Sequence, residues 1–398
     1  MSKPAPPAPT HLLRSHSTPI TTIWISDDNE RLYSGDASGK VTVTSTRTLR
    51  AITTWNPHSD SVLGVEEFNS HVITHGRDNK LHVWNRVEDL PSDRRVGGSA
   101  TLTNMLAPSL AYSMDVNALN YCRFALLPLP RDVASESAPD ALIALPNLID
   151  SSTADIWSLP ECNRYHAAIG QEGNKPVFSA KPTTGRGRAG IIMSIHLYLA
   201  ASSEISSSPP TSDLRLLCAY ENGSVTLRRY TRTGQTTSIE GQGWETIWTT
   251  KSHVETIMSM AVSKNNAFAL TTSADHLVNR YELSENGNPE CSVHRIKNAG
   301  NSCIAVRDDG KVCAVGGWDG NIRLFSTKSF KPLGTLKYHR TGCQALVFAR
   351  SIPLFDGVND EGDEDFDETD KANRARWLVA GGKDNRLSVW TLMDFSNP

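Results

Sequence analysis

One short phrase recurs along this chain, and its repetition constrains the fold more than any other feature. The phrase reads HGRDNKLHVW at 75–84 and GGKDNRLSVW at 381–390. Looser copies occupy 219–228, 272–281 and 316–325. Each copy places Asp or Asn in a turn and follows it with an alternating segment that is typical of a half-buried strand. A repeated strand–turn–strand pattern predicts an array of similar sheets, and such arrays usually bind partners rather than catalyse reactions.

The strand pattern between these phrases extends the count to seven repeats. The third begins with an apolar run at 116–127, which we interpret as its inner strand. The seventh lacks an outer strand, while HLLRSH at 11–16 is a spare strand near the start of the chain. Sharing one blade between the first and last strands leaves no inner edge unpaired. The sequence therefore predicts an all-β, seven-bladed β-propeller closed by an N-terminal strand that pairs with 387–390.

The chain length fits one such domain with long loops. Seven repeats of about 40–45 residues need roughly 300 residues, and the chain has 398. We expect a disordered lead at 1–9 and a single propeller over 10–398. Within it, 356–370 contains nine Asp or Glu residues and is predicted to be a disordered acidic insert. Long loops are expected at 86–110, 171–188 and 202–213.

The composition narrows the class of partner and the compartment. A net charge of −3 disfavours broad, charge-driven binding to nucleic acid or to membranes. Seven cysteines without a CxxC pair indicate buried thiols in a reducing compartment. No stretch approaches the about 20 apolar residues that a membrane-spanning helix needs. We expect a soluble intracellular protein that binds other proteins and makes no direct contact with nucleic acid or membrane.

The second repeat contains a polar set that would join its outer and inner strands. The set is His58, Thr74, Asp78 and Trp84. In such a network the carboxylate and the hydroxyl fix the histidine tautomer, and the buried indole N–H finds an acceptor. We predict a hydrogen-bonded structural tetrad here. In the first repeat the Asp and Trp positions hold Ser38 and Thr44, so that copy is expected to be degenerate.

The histidines and aspartates recur once per repeat, which indicates architecture rather than catalysis. The junction histidines are His58, His253 and His339, and the turn aspartates are Asp78, Asp275, Asp319 and Asp384. HExxH, GxSxG, P-loop and CxxC motifs do not occur in the sequence. We therefore predict a protein that is not an enzyme and has no catalytic residues, cofactor or metal site.

The residue before each turn aspartate is the candidate for binding. In the array this position usually faces outward, and here it holds Arg77, Trp318 and Lys383, against Ala37 and Ala274 elsewhere. Arg and Trp are enriched among the residues that dominate binding energy in protein interfaces. We predict that these three side chains contact a protein partner, with ordinary exposed turn residues as the alternative.

Longer phrases resemble a particular family. They are ALPN at 144–147 with DIWSLP at 155–160, GGWDGNIRLFSTKSFKPLGTLKYH at 316–339 and LVAGGKDNRLSVWTL at 378–392. Together they resemble the fungal ASTRA-associated protein 1 family, which is similar to animal G-protein-beta-subunit-like protein 1, over nearly the whole chain. The tetrad residues resemble those of a WD repeat, which implies a WD-repeat propeller.

The resemblance implies a non-catalytic nuclear scaffold subunit of the ASTRA complex. That assembly links chromatin remodelling to the maturation of phosphatidylinositol-3-kinase-related kinases. The implied partners are the Tel–Tti co-chaperone trimer, the RuvB-like ATPases and the Tra-type kinase-like scaffold. The implied location is the nucleus, with the cytoplasm also open.

Two other functions compete with this interpretation. A substrate receptor of a cullin-type ubiquitin ligase commonly carries Trp-Asp-x-Arg after its third strand, whereas 84–87 read WNRV and 390–393 read WTLM. A heterotrimeric G-protein beta subunit needs an N-terminal helix for a coiled coil, and residues 1–10 contain four prolines. Both motifs fit poorly, so the scaffold remains the leading hypothesis and the ligase receptor the alternative.

Overall fold

The computed structural model describes residues 7–87, 105–117, 119–129, 139–171, 189–201, 212–232, 234–283, 291–351 and 365–395. Within these ranges the strands form seven four-stranded sheets. The sheets are the blades of an all-β, seven-bladed β-propeller, as the sequence predicts. By compactness the chain divides into unit 1, Met1–Ser113 with Ala305–Pro398, and unit 2, Met114–Ile304.

Unit 1 contains blades 1, 2, 6 and 7, apart from the ends of two strands that cross its boundary. Blade 1 consists of β2 (Ile20–Ile25), β3 (Arg31–Asp36), β4 (Val41–Ser45) and β5 (Ala51–Trp55). Blade 2 consists of β6 (Val62–Phe68), β7 (His71–Gly76), β8 (Lys80–Asn85) and β9 (Ser109–Asp115). Blade 6 consists of β22 (Asn301–Val306), β23 (Val312–Gly317), β24 (Asn321–Ser326) and β25 (Pro332–Lys337). Blade 7 consists of β26 (Cys343–Phe348), β27 (Trp377–Gly382), β28 (Leu387–Thr391) and β1 (His11–Leu13).

Unit 2 contains blades 3, 4 and 5. Blade 3 consists of β10 (Ala125–Pro128), β11 (Ala141–Pro146), β12 (Ala154–Leu159) and β13 (Arg164–Ile169). Blade 4 consists of β14 (Ile192–Ala201), β15 (Ser212–Tyr220), β16 (Ser224–Tyr230) and β17 (Trp244–Lys251). Blade 5 consists of β18 (Ile257–Val262), β19 (Phe268–Ser273), β20 (Leu277–Glu282) and β21 (Cys291–Arg295).

The N-terminal strand completes the C-terminal blade. Strand β1 pairs antiparallel with β28, so that His11 faces Val389 and Leu13 faces Leu387. The N–H of Thr10 extends the ladder by donating to the Val389 carbonyl at 2.7 Å. This confirms the predicted pairing for 11–13 with 387–389, whereas 14–16 lie outside the strand, and it covers the edge of β28 that would otherwise be open.

Apolar side chains from neighbouring blades fill the space between them. In unit 1, Ile20 and Ile23 of blade 1 are buried in one cluster with Val379 of blade 7. In unit 2, Leu217 of blade 4 and Ile257 of blade 5 share another cluster. Burying such a side chain fully contributes about 1.5–3 kcal/mol, which explains why the inner strands read as nearly continuous apolar runs.

Three strand boundaries correct the sequence prediction. Strand β9 begins at Ser109, inside the predicted loop 86–110, because an outer strand with mostly exposed side chains has little apolar signal. Strand β15 begins at Ser212, inside the predicted loop 202–213. The sequence predicts one strand over 116–127, but β10 begins only at Ala125.

The acidic insert also needs a correction. Helix α1 (Asp365–Arg374) covers the end of 356–370, which we expected to be disordered throughout. Lys371 and Arg374 in its last turn complement the helix dipole. Arg374 is buried, and its Nη2 donates to Glu30 Oε1 at 3.2 Å, which anchors α1 to blade 1.

The other predicted irregular segments are only partly visible. Residues 7–9 of the lead at 1–9 and Gln171 of the loop at 171–188 have no regular structure. The remaining residues of both segments, and 356–364 of the insert, lie outside the described residues. Within the described part of the chain, no helix is both long and apolar enough to cross a membrane.

Candidate partner-binding surface

The predicted tetrad of blade 2 forms one connected network. His58 Nδ1 lies 3.0 Å from Asp78 Oδ1, and His58 Nε2 lies 3.0 Å from Thr74 Oγ1. The indole N–H of Trp84 donates to the same Thr74 oxygen at 3.0 Å. An ionised Asp78 can only accept, so Nδ1 carries the proton and Nε2 accepts from the threonine hydroxyl. The network thereby links the turn, the strands β7 and β8 and the segment that enters β6.

Electrostatics keeps this histidine neutral and this carboxylate ionised. Burial lowers the pKa of His58, against the opposing effect of Asp78. Burial would raise the pKa of Asp78, but hydrogen bonds from the Ser59 backbone N–H and from His58 hold that pKa below its usual value. With both ring nitrogens engaged and the His58 side chain fully buried, the arrangement ties strands together and offers no accessible base.

Blade 1 contains a network that the sequence analysis missed. His16 Nδ1 lies 2.8 Å from Asp36 Oδ2, and His16 Nε2 lies 2.8 Å from Ser34 Oγ. Asp36 Oδ1 accepts from the hydroxyl of Ser38 at 2.7 Å. The expectation of a degenerate first copy is therefore wrong for its carboxylate, because Asp36 at the end of β3 replaces the missing turn aspartate. The Trp position does hold Thr44.

Blades 5 and 7 vary the same plan. In blade 5, His253 lies 3.0 Å from Asp275 Oδ2 and 2.8 Å from Thr271 Oγ1. In blade 7 the corresponding strand position is Ala380, which has no hydroxyl. There Ser388, directly opposite Ala380 across the ladder, supplies the oxygen instead.

The blade 7 network is complete despite this exchange. Ser388 Oγ lies 2.9 Å from His339 Nε2, and Trp390 Nε1 donates to it at 2.9 Å. Asp384 Oδ1 lies 2.9 Å from His339 Nδ1. Opposite residues on adjacent strands have Cβ atoms about 5 Å apart, so either strand can supply the hydroxyl.

Blades 6 and 3 use different partners. In blade 6, Asp319 pairs with Arg323 of β24 rather than with a histidine. Burial would raise the pKa of Asp319, but the Arg323 hydrogen bond holds it below its usual value. In blade 3 the Asn147 amide donates to both carboxylate oxygens of Asp155, at 2.9 and 3.0 Å. The two phrases ALPN and DIWSLP therefore meet through a buried hydrogen-bonded pair.

The three candidate binding residues all lie in unit 1, on different blades. Trp318 is 52% exposed and Lys383 is also exposed, whereas Arg77 is half-buried. A Cβ placed on Gly342 would lie 3.4 Å from Trp318 Cα and 3.8 Å from Lys383 Cδ, so these two residues border one spot. Arg77 belongs to blade 2, and blade 1, which holds Ala37 at this position, packs between blades 7 and 2. The structure thus brings together two of the three.

Exposed apolar residues in blade 3 are a further feature that the sequence analysis missed. Leu119 and Tyr121 lie in the stretch before β10, and Leu148 and Ile149 lie in the turn between β11 and β12; all four are exposed. The sequence pattern predicts a core strand over 116–127. The asparagines Asn117 and Asn120 within it were the available signal, because asparagine is disfavoured in strands.

Comparison with known proteins identifies the repeat and the family. A family model described as "WD domain, G-beta repeat" matches residues 7–44 and 293–326. Each match begins near an outer strand, β1 or β21, and runs through the next blade's inner strands. ASTRA-associated protein 1 of Aspergillus niger is 30% identical over 97% of this chain and 98% of its own length. The chain belongs to the ASTRA-associated protein 1 family.

Other relatives agree with this assignment. The ASTRA-associated protein 1 of Verticillium alfalfae is 29% identical over 98% of this chain and 94% of its own length. The guanine nucleotide-binding protein subunit beta-like protein 1 of Mus musculus is 24% identical over 98% of this chain and 97% of its own length. Membership of the ASTRA-associated protein 1 family thus extends over the whole WD-repeat array, including both units.

Proposed function

We propose that this protein is a non-catalytic WD-repeat scaffold subunit of the ASTRA complex. Its nearly end-to-end match to proteins named ASTRA-associated protein 1 carries the proposal. In this role it acts in the nucleus, in chromatin remodelling and in the maturation and stability of phosphatidylinositol-3-kinase-related kinases. Its partners are the Tel–Tti co-chaperone trimer, the RuvB-like ATPases and the Tra-type kinase-like scaffold.

The state of the histidines supports a role without catalysis. His16, His58 and His253 are buried, each with a carboxylate on one ring nitrogen and a hydroxyl on the other. Burial lowers the pKa of all three, so they are neutral near pH 7. A general base needs access to a substrate proton, and these side chains are fully enclosed by the blades that they tie together.

The exposed pair Trp318 and Lys383 is the proposed first contact with a partner. A half-exposed indole provides a large apolar surface, and the adjacent ammonium adds a charge that can pair with a partner carboxylate. Gly342 lies beside both residues, because a Cβ there would be 3.4 Å from Trp318 Cα and 3.8 Å from Lys383 Cδ. Arg77 extends the same role to blade 2.

Affinity purification with matched variants tests the function and the surface separately. Tagged wild-type protein is compared with the Arg77→Ala/Trp318→Ala/Lys383→Ala variant, and co-purified proteins are measured by quantitative mass spectrometry. The control is Lys328→Ala/Lys331→Ala, which removes two exposed charges from the turn between β24 and β25, at the other end of the blade that holds Trp318. Surface changes shift stability by only about 0.5 kcal/mol each, so all three proteins should melt alike.

The wild type and the control should recover the Tel–Tti trimer and the RuvB-like ATPases, and the triple variant should recover much less. Failure of the wild type to recover either would contradict the scaffold assignment. Full recovery by a well-folded triple variant would leave the function standing and place the interface elsewhere. A fluorescent fusion expressed at the native level should be nuclear, and an exclusively cytoplasmic signal would contradict that part of the proposal.

A further inference from the structure

Four large apolar side chains are exposed together at one end of blade 3. Ile149 is 92% exposed, Leu119 73%, Tyr121 60% and Leu148 46%. We call this set the blade 3 surface. Single exposed apolar residues are ordinary, whereas several side by side mark interaction sites. The four residues belong to two separate loops.

Buried asparagines hold the two loops together. The Asn117 amide donates to the Asn147 carbonyl at 2.6 Å and to Ser151 Oγ at 3.0 Å. The Asn120 amide donates to the Ser151 carbonyl at 3.1 Å. The stretch that carries Leu119 and Tyr121 is therefore fastened to the turn that carries Leu148 and Ile149.

The same asparagines orient the exposed residues. Asn117 Oδ1 accepts from the Leu119 N–H at 2.7 Å, and Asn147 Oδ1 accepts from the Ile149 N–H at 2.9 Å. These bonds close Asx turns, which fix the backbone of each exposed residue without using its side chain. The blade 3 surface is thus held in place before any partner arrives, and a preorganised surface loses less entropy on binding.

In the part of the chain that the structure describes, the residues next to this surface include three acidic ones. Asp115 is exposed and directly precedes the stretch, and Asp150 directly follows Ile149. Glu221 is half-buried and is connected to this surface through backbone hydrogen bonds. Its N–H donates to the Ile191 carbonyl, and the N–H of Ile192, which follows Ile191, donates to the Ser151 carbonyl. Among the described residues, a nearby cation is Arg123, which is half-buried and has its guanidinium carbon 5.8 Å from the centroid of the Phe124 ring.

We propose that the blade 3 surface docks a segment of a protein partner that carries apolar side chains flanked by lysine or arginine. The apolar residues would cover Leu119, Tyr121, Leu148 and Ile149, and the basic residues would pair with Asp150 and Glu221. Charge complementarity selects this occupant over an acidic one. The inference goes beyond the ASTRA assignment, since it rests only on the residues of unit 2 and holds for whichever complex the protein serves.

Two display libraries of short peptides test the proposal on the full-length protein. Both contain the same apolar residues, and one has only Lys and Arg as charged residues whereas the other has only Asp and Glu. Selected peptides are then resynthesised and measured by calorimetry against the wild type and the variants Leu148→Ser/Ile149→Ser and Asp150→Asn. The matched control is Ile239→Ser, which removes another exposed isoleucine, 71% exposed, from unit 2.

The basic library should yield binders and the acidic library should not. The Leu148→Ser/Ile149→Ser variant should weaken binding at least about tenfold, Asp150→Asn should weaken it less and reduce its salt dependence, and Ile239→Ser should have no effect. Equal enrichment from both libraries, or binders unaffected by the double variant at unchanged melting temperature, would overturn the proposal. So would wild-type self-association in analytical ultracentrifugation that the double variant abolishes, because the occupant would then be a second copy of the chain.

Discussion

Blades 1 and 2 build similar histidine networks from different positions in the sequence. In blade 2 the carboxylate comes from Asp78, in the turn four residues after the hydroxyl of Thr74. In blade 1 it comes from Asp36, only two residues after the hydroxyl of Ser34 and still within β3. The distance from the histidine to the carboxylate is nevertheless similar, 2.8 Å in blade 1 and 3.0 Å in blade 2.

The glycine at the end of β7 explains how both solutions work. Gly76 occupies the position that Asp36 has in blade 1. A Cβ on Gly76 would lie 2.4 Å from the His58 ring and 2.6 Å from Asp78 Oδ1. In blade 2 the turn aspartate and the His58 ring occupy the space where a side chain at the strand end would begin, whereas in blade 1 the strand end carries the carboxylate and the turn carries Ser38. The fold specifies a place for a carboxylate beside the histidine, and two different residues can fill it.

Deleting residues 1–16 should have the largest effect and should separate the two blades. It removes β1 from blade 7 and His16 from blade 1, while the blade 2 network keeps all its members. The loss of stability should exceed the about 1–3 kcal/mol expected for one unpaired buried group. Denaturant unfolding would measure it, and hydrogen exchange should rise in blades 7 and 1 more than in blade 2. A deletion of 1–9 serves as control, and equal stability of the two shortened proteins would contradict the prediction.

The substitution Gly76→Ala should cause the next largest loss of stability and should disturb only blade 2. The new methyl overlaps the His58 ring, and such overpacking costs about 1–3 kcal/mol. Gly334→Ala is the matched control, because a Cβ at Gly334 meets no atom within 4 Å. Thermal unfolding of both variants would decide the matter. If the two substitutions lower the melting temperature equally, the lack of space beside His58 is not the reason for glycine at position 76.

Exchanging the plan of blade 1 for that of blade 2 tests the comparison most directly. Asp36→Gly alone should cost about 1–3 kcal/mol, because His16 loses its acceptor. Adding Ser38→Asp restores a turn carboxylate at the position of Asp78 and should recover most of the loss, apart from the about 0.5–1 kcal/mol cost of glycine in a strand. Double-mutant-cycle analysis of chemical denaturation gives the coupling. Additive losses would mean that the two plans are not interchangeable.

Acidification should give the smallest and most general effect. Burial lowers the pKa of His16, His58 and His253 in the folded protein, whereas the unfolded chain has ordinary histidines near 6.5. Below that pH the unfolded state binds more protons, so stability is complete above about 6.5 and falls as the pH decreases. The melting temperature of the protein, measured by calorimetry from pH 8 to pH 5, should therefore decline below neutrality. The networks of blades 1 and 2 should both contribute to this decline. A flat profile would mean that folding leaves the pKa of these histidines unchanged.

The candidate site was only partly accessible to sequence reasoning. Trp318, Lys383 and Arg77 could be identified because the repeat aligns them at one turn position, but their neighbourhood could not. Which two share the space beside Gly342 depends on the order of packed blades. The blade 3 surface was missed altogether, because the same apolar letters would describe a buried strand.

The sequence by itself determined the architecture. The alternation of apolar and polar residues and the turn residues at fixed intervals are local signals, so they identify the strands and give the number of blades. The spare N-terminal strand and the missing outer strand of the last blade then predict that His11–Leu13 pairs with Leu387–Val389. Tertiary structure decided which side chains meet. Asp36 rather than Ser38 supplies the carboxylate beside His16, and Ser388 rather than Ala380 supplies the hydroxyl beside His339. Asn147 forms a hydrogen bond with Asp155, eight residues further along the chain. A hydrogen bond needs its atoms within about 3 Å, and that proximity arises from the packed strands rather than from spacing along the chain.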